Sequence, residues 1–281
     1  MFLDFLFKNK KKNTIKKTEE TPSNIKNRNN STTKIENNQS AVRKGELGEY
    51  KIDIQLSQLP KNYMYLNDLL IKNPKSSTGY SQIDHVIITP YGLFVIETKN
   101  YQGTIYGGKD RKTWLINGKF KMMNPLMQNY GHIQALKSFI EAKYHPYFIS
   151  VVSFTKRCTF KIEEELRKIS STELVIYDVE LTQFINRKVA VLKLQYPNPL
   201  FLKSEMEMIY NSLVNANITD AAIRKQHIDI IEEKKNITDK KEKENKCIVC
   251  QKAVSDKVKS FCLSNKKFQG KIYCYEHQKS L

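Results

Sequence analysis

The chain has 281 residues, 40% of them hydrophobic, and its 47 Lys+Arg against 29 Asp+Glu give a formal net charge of +18. That length holds one or two domains with a sizeable core, and no apolar run reaches the roughly 20 residues that span a bilayer, so the chain is not expected to cross one. The charge points to a polyanionic partner, nucleic acid before an anionic membrane surface, because phosphate contacts by Lys and Arg gain from counterion release.

In chain order, the apolar stretch Met1 to Phe7 is followed by the basic run Lys8 to Lys12. It lacks a basic region before the apolar part and a small-residue cleavage site after it, so it is not read as a signal peptide. Residues 1–41 are expected to form a disordered basic tail, able at most to touch an anionic membrane weakly. Folding is expected to begin near Val42, with a first helix in which Leu47, Tyr50, Ile54 and Leu56 sit near helical spacing and Glu49 lies among them. Tyr63 to Ile71 reads as a strand, and Lys72 to Ser81 as a polar turn. Two further strands follow, Gln82 to Thr89 and Gly92 to Lys99.

Short strands are expected around Ile105 and Tyr106 and over Trp114 to Ile116. A helix is expected from Pro125, capped by Asn124, to Ile140. Tyr147 to Phe154 and Leu174 to Tyr177 read as buried strands, and helices are expected over Val179 to Asn186 and Lys203 to Val214. This alternation specifies an α/β core with a central mixed sheet flanked by helices. Residues 42–155 form the principal domain, 156–216 extend its α/β core, 217–246 are a charged helical linker, and 247–281 are a small cysteine-rich module.

Three charges stand in the two apolar strands: Asp84, Glu97 and Lys99. A lone buried charge costs several kcal/mol, so the three need a shared explanation, and a divalent metal site with an attendant lysine supplies one. Glu97 and Lys99 share a strand face by period-two alternation. Asp84 joins them only if the hairpin closes through a two-residue loop at Pro90-Tyr91, which sets it opposite Glu97. Pro90 and Gly92 locally favour a three-residue loop, which would set Asp84 opposite Thr98. The functional register is the one expected here, at the expense of a bulge or a wider loop. Asp84, Glu97 and the Thr98 carbonyl then offer hard oxygen ligands to Mg2+ or Mn2+. Lys99 would orient or deprotonate a water or offset developing charge, Glu49 would hold a second metal or a water, and Gln128 would position substrate or Lys99.

These residues resemble a known family. Gly45-Glu46-x-Gly48-Glu49, Gln82-Ile83-Asp84-His85, Gly92-Leu93-Phe94-Val95-Ile96-Glu97-Thr98-Lys99-Asn100-Tyr101-x-Gly103 and Asn124-Pro125-x-x-Gln128-x-x-x-His132 are together similar to the nuclease-related domain, NERD, of the PD-(D/E)xK restriction-endonuclease-like superfamily. The resemblance spans about residues 42–155. It implies a restriction-endonuclease-like fold and a metal-dependent DNA nuclease, with Asp84, Glu97 and Lys99 catalytic and Glu49 and Gln128 supporting. Gln128-x-x-x-His132 is also similar to the Gln-x-x-x-Tyr element of RecB-like nucleases, with histidine in place of tyrosine. No GxxxxGK[ST] loop is present, so a helicase or other motor would be a separate DNA-processing partner, and no small-molecule cofactor is expected.

Near the C-terminus, Cys247-Ile248-Val249-Cys250 and Cys274-Tyr275-Glu276-His277 are two knuckles with the ligand number and spacing of a tetrahedral structural Zn2+ site. Phe261, Phe268 and Tyr273 would supply a miniature core, and a module this small needs its metal to fold. Cys262 could displace His277 as fourth ligand or be a buried thiol. Cysteines clustered this way suit a reducing, cytoplasmic setting. His85, facing away from Asp84, reads as a packed histidine, Cys158 as a core residue, and Trp114 as either a base-stacking surface or core filler.

Overall fold

The computed structural model describes residues 47–280, with only the backbone over 238–244. The expectations for the tail and for Gly45 and Glu46 lie outside the described residues. The protein is a mixed α/β structure whose central sheet has the strand order β1-β2-β3-β7-β9, with β1 Met64–Lys72, β2 Tyr80–Thr89, β3 Gly92–Lys99, β7 Phe148–Phe154 and β9 Glu173–Tyr177. The first three strands are antiparallel, and β3, β7 and β9 are parallel. A second sheet, ordered β6-β5-β4-β8, is built from β4 Gly103–Tyr106, β5 Thr113–Ile116, β6 Phe120–Met123 and β8 Cys158–Lys161. Because β9 pairs with β7, residues beyond 155 continue the same sheet.

Three apolar clusters hold these layers. On one face Leu69, Ile83, Val86, Ile88, Leu93 and Val95 pack with α2, Pro125–Leu136, and α4, Lys203–Ala216. On the other, Ile87, Phe94 and Ile96 pack with α1, residues 47–56, and α3, Leu181–Gln195. Between the sheets lie Ile105, Trp114, Val152 and Phe154. Trp114 is fully buried, stacks on Phe154 at 6.2 Å and donates Nε1–H to the Gly108 carbonyl, so it fills core and presents no face to a base. Cys158 is likewise buried, and burial pushes its thiol up to about 11.

One expected face is corrected. Leu47, Tyr50 and Ile54 are exposed, and α1 instead buries Gly48, Ile52 and Leu56 at i, i+4, i+8. Gly48 faces the end of β3, where a Cβ would meet Thr98 Cγ2 at 3.5 Å, an ordinary contact distance. The helix comes down on the end of β3 through a residue with no apolar signature of its own. The strands β6 and β8 were not expected, and α3 runs one turn or more beyond its expected end at Asn186.

The hairpin between β2 and β3 pairs Thr89 with Gly92, Ile87 with Phe94 and His85 with Ile96. This is the two-residue loop, and the register carries Asp84 opposite Glu97. Thr89 explains why local turn preference loses: its Oγ1 donates to the Gly92 carbonyl and accepts from Tyr91 N. The Pro90 carbonyl is in turn held by the amides of Leu200 and Phe201. Gly92 takes no left-handed conformation here. Its lack of a side chain admits β7, since a Cβ would stand 3.0 Å from Ile149 Cδ1.

The charged segment expected as a linker is helical, α5, Ala221–Glu244. Residues 224–234 of it contact the β1–β2 edge: Arg224 binds Asp68 and Asn217, His227 meets Thr78 Oγ1 at 3.0 Å, and Lys234 donates to the Ser77 carbonyl.

Candidate active site and metal centre

Strand alternation breaks at Asp84. Ile83, Val86 and Ile88 all reach one core, as do Leu66, Leu69 and Ile71 on β1, so both strands change face where Asp68 and Asp84 stand. Asp68 carries φ 51°, which marks the irregularity on β1. The backbone pairing of β2 with β3 stops at His85, and the side chain of Asp84 replaces it: Oδ2 accepts from Thr98 N at 2.7 Å. The Lys99 carbonyl accepts from Thr155 N, so by the alternation of the ladder the Thr98 amide and carbonyl face β2, toward Asp84.

Helix α2 brings the second half. Asn124 caps it, accepting from Leu126 N and donating to the Lys109 and Arg111 carbonyls, with Pro125 at the first position. Buried Asn129 donates to the Val95 carbonyl and to Ser150 Oγ, locking the helix across β3 and β7. Its neighbour Gln128 then bridges the charged pair, donating Nε2–H to Glu97 Oε1 at 2.7 Å and accepting from Lys99 Nζ at 3.0 Å. Lys99 Nζ stands 2.5 Å from the same Glu97 oxygen. One turn on, His132 Nδ1 lies 3.2 Å from Glu97 Oε2. That contact is close but poorly directed, so both atoms are buried without a well-aligned hydrogen bond.

The electrostatics follow from burial. Desolvation, with the Glu97 charge beside it, holds Asp84 well above the usual carboxylate range, despite the Thr98 amide; Glu49 adds to the rise and is thereby placed near Asp84. Burial would also raise Glu97, but Lys99 and His132 outweigh it and keep Glu97 below the usual value. Lys99 loses from burial and gains more from Glu97 and Asp84, so its ammonium is held above the usual lysine range. The five residues expected from the sequence are thus gathered around one spot. The contribution of His132 went unassigned, although its i, i+4 spacing from Gln128 puts both on one helix flank. His85 is separate: buried, bonded through Nδ1 to Asn67 Oδ1 and pushed down to about 4 by desolvation, it stays neutral.

Two adjacent oxygen donors, one of them disfavouring its own charge and the other with an unaligned oxygen, fit a hard divalent cation. Asp84, Glu97 and the Thr98 carbonyl would hold it.

A second donor set lies in residues 245–280. Cys247, Cys250, Cys274 and His277 offer ligand atoms all within 4.8 Å of one another. Cys250 Sγ to Cys274 Sγ is 3.7 Å and Cys247 Sγ to His277 Nδ1 is 3.5 Å. Tetrahedral Zn–S and Zn–N bonds imply edges of about 3.8 and about 3.6 Å, so the cluster fits a metal such as zinc. Burial opposes ionisation of Cys247, yet backbone N–H groups of Cys250, Cys274 and Val249 hold its thiol at about 6. Ile248 N bonds the Ile272 carbonyl and so joins the knuckles. Cys262 is outside the cluster: fully buried, it bonds Tyr273 and Gln278.

A family model described as "Nuclease-related domain" matches residues 44–155, the segment that contains every member of the carboxylate site. An uncharacterized protein of Bacillus anthracis is 32% identical over 195 residues, covering 68% of this chain and 85% of its own length. The chain belongs to the nuclease-related domain family. No solved structure matches it. Among the described residues, no helix of this NERD protein is long and apolar enough to cross a membrane.

Proposed function

We propose that this NERD protein is a Mg2+- or Mn2+-dependent DNA nuclease that hydrolyses phosphodiester bonds at the Asp84–Glu97–Lys99 site. The convergence of these three groups with Gln128 and Glu49, from two strands and two helices, carries the proposal. When bound, the divalent ion supplies a Lewis acid that offsets the charge of the scissile phosphate. Asp84 and Glu97 bind it, and Thr98 presents its carbonyl on the same side. Because its ammonium is held above the usual range, Lys99 serves as a hydrogen-bond donor and a fixed positive charge for the phosphate rather than as a ready base. Gln128 holds Lys99 in line, and Glu49 orients water near Asp84.

The C-terminal cluster serves as a structural Zn2+ site in this proposal, and the lysines around it hold DNA phosphates. A reducing, cytoplasmic setting suits its thiols, and a helicase-like motor would act as a separate partner. A non-catalytic nucleic-acid-binding protein that retains the nuclease fold is the second reading, favoured by one observation: Lys99, Gln128 and His132 already surround Glu97, so a cation must compete with them.

Cleavage assays decide between the two. Wild type with Mg2+ or Mn2+ should cut DNA, and Asp84→Ala and Lys99→Ala should lose cutting while retaining binding. Wild-type binding without cleavage on single-stranded, duplex and flapped DNA overturns the enzyme.

A further inference from the structure

Beside the carboxylate site runs a cleft of about 780 Å³ between the 72–81 turn and the exposed flank of α2. Its floor includes Gln128 and His132, the two residues that touch Lys99 and Glu97, so the cleft opens directly onto the charged network. Lys72 and Lys75 stand on the turn side, and among the described residues no Asp or Glu lines it. On the helix side Met127 and Tyr130 are 44% and 60% exposed, large apolar surfaces left to solvent at the rim of a cationic groove.

Gly131 is the independent observation. It sits in the interior of α2, where glycine is unfavourable, and among the described residues nothing lies within 4 Å of where its Cβ would be. No neighbouring element of the described residues needs the space, and its φ is not in the left-handed region, so neither packing nor backbone conformation among them accounts for it. A glycine that opens a helix flank onto a groove permits close approach by something outside the described residues.

We infer that this cleft binds a single strand of DNA and leads it to the Asp84–Glu97–Lys99 site. Lysines at one wall meet phosphates, Tyr130 and Met127 at the other meet base faces, and Gly131 lets the strand lie against the helix between them. Stacking surface combined with positive charge distinguishes a single strand from a duplex, whose base faces are already stacked on one another. The inference rests on the nuclease proposal for the direction in which the strand runs, but the binding itself can fail or succeed separately.

The test measures fluorescence anisotropy of labelled oligo(dT) and of a blunt duplex of equal length, using the full chain with Asp84→Ala to prevent cutting. Oligo(dT) should bind more tightly than the duplex. Tyr130→Ala should weaken oligo(dT) about 10-fold and the duplex less than 2-fold, in line with the loss of one stacked base. Lys72→Gln with Lys75→Gln should reduce the salt-dependence slope for oligo(dT) by about 1.4. Gly131→Gln should raise Tm, because the helix gains, and yet weaken oligo(dT) at least about 5-fold, a combination that a purely structural role does not produce. Single-strand affinity unchanged by Tyr130→Ala and Gly131→Gln, or duplex affinity lowered equally, overturns the groove. Failure of wild type to cleave, with these binding effects intact, overturns the nuclease and leaves the groove standing.

Discussion

The two cation-suited sites of this protein are built on opposite principles. The Cys247–Cys250–Cys274–His277 cluster takes its ligands from two short knuckles, and its donor atoms already lie within 4.8 Å of one another. The Asp84–Glu97 site draws on β2, β3, α1 and α2, and its groups are satisfied by one another, through Lys99, Gln128 and the Thr98 amide. One site has little structure around it except what the metal would organise. The other is organised by a large core and holds its charges against the core's preference. Loss of metal should therefore unfold the first and leave the second folded, and loss of a charged side chain should do the reverse of what its burial suggests.

The largest effect is expected in the cysteine module. Cys250→Ser should abolish zinc content by metal analysis and unfold residues 247–280, where metal binding supplies on the order of 10 kcal/mol, while the Tm of the α/β core stays put. Retained zinc in that variant would break the comparison at its first term. At the carboxylate site, Lys99→Met should lower DNA cleavage by about 10³-fold, roughly the worth of a fixed charge at a developing oxyanion. Gln128→Ala should follow with about 10- to 100-fold, since it removes the amide that aligns Lys99 with Glu97 without removing either charge. Equal losses for both variants would show that position matters as much as charge.

How much of this was legible in the sequence differs between the two sites in the same way. The knuckles are local, so their four ligands could be read from spacing, and the only ambiguity, Cys262 against His277, needed the fold to show Cys262 bonded to Tyr273 and Gln278. At the other site the residue types were legible but the register was contested. Pro90 and Gly92 argued for a longer loop, and the deciding contacts come from Thr89 and from residues 200 and 201, a hundred positions away in sequence. Gly92 and Gly48 mislead for related reasons: Gly92 is a close-approach position, Gly48 is buried against the end of β3, and an apolar pattern assigns no weight to either. The buried face of α1 was misread on that account. Non-periodic strands hid the change of face at Asp84, because alternation is assumed before it is tested.

Asp84 gives the next prediction, smaller and opposite in sign to the usual loss from a buried substitution. Burial and Glu97 raise its pKa, so the folded state disfavours the charged form of this carboxyl. A raised acid pKa means the folded state binds the proton more tightly than the unfolded one, so stability increases as pH falls from the folded pKa toward the unfolded value. Asp84→Asn removes the penalty and should raise stability at pH 7 in EDTA by about 2 kcal/mol. Mg2+ should raise the Tm of wild type and not of the variant. Glu97 behaves oppositely: its lowered pKa makes its contribution full at neutral pH and lost as pH falls through that value. A Tm that drops in Asp84→Asn without metal would mean that the Thr98 hydrogen bond outweighs the charge.

The smallest effect separates a buried thiol from a ligand within one module. Cys262 is fully buried, accepts from Tyr273 N at 3.4 Å and Gln278 Nε2 at 3.2 Å, and donates to the Tyr273 carbonyl. These contacts position Tyr273 immediately before Cys274, so Cys262 supports the second knuckle without touching the metal. Cys262→Ala leaves the Tyr273 amide and carbonyl without this partner and should destabilise the module by about 1 kcal/mol, read as easier zinc release to a chelator. Zinc stoichiometry in the purified protein should remain that of wild type. If the variant instead loses its zinc as Cys250→Ser does, the fourth ligand is Cys262, and the knuckle geometry that places His277 Nδ1 beside Cys274 is not the one that holds the ion.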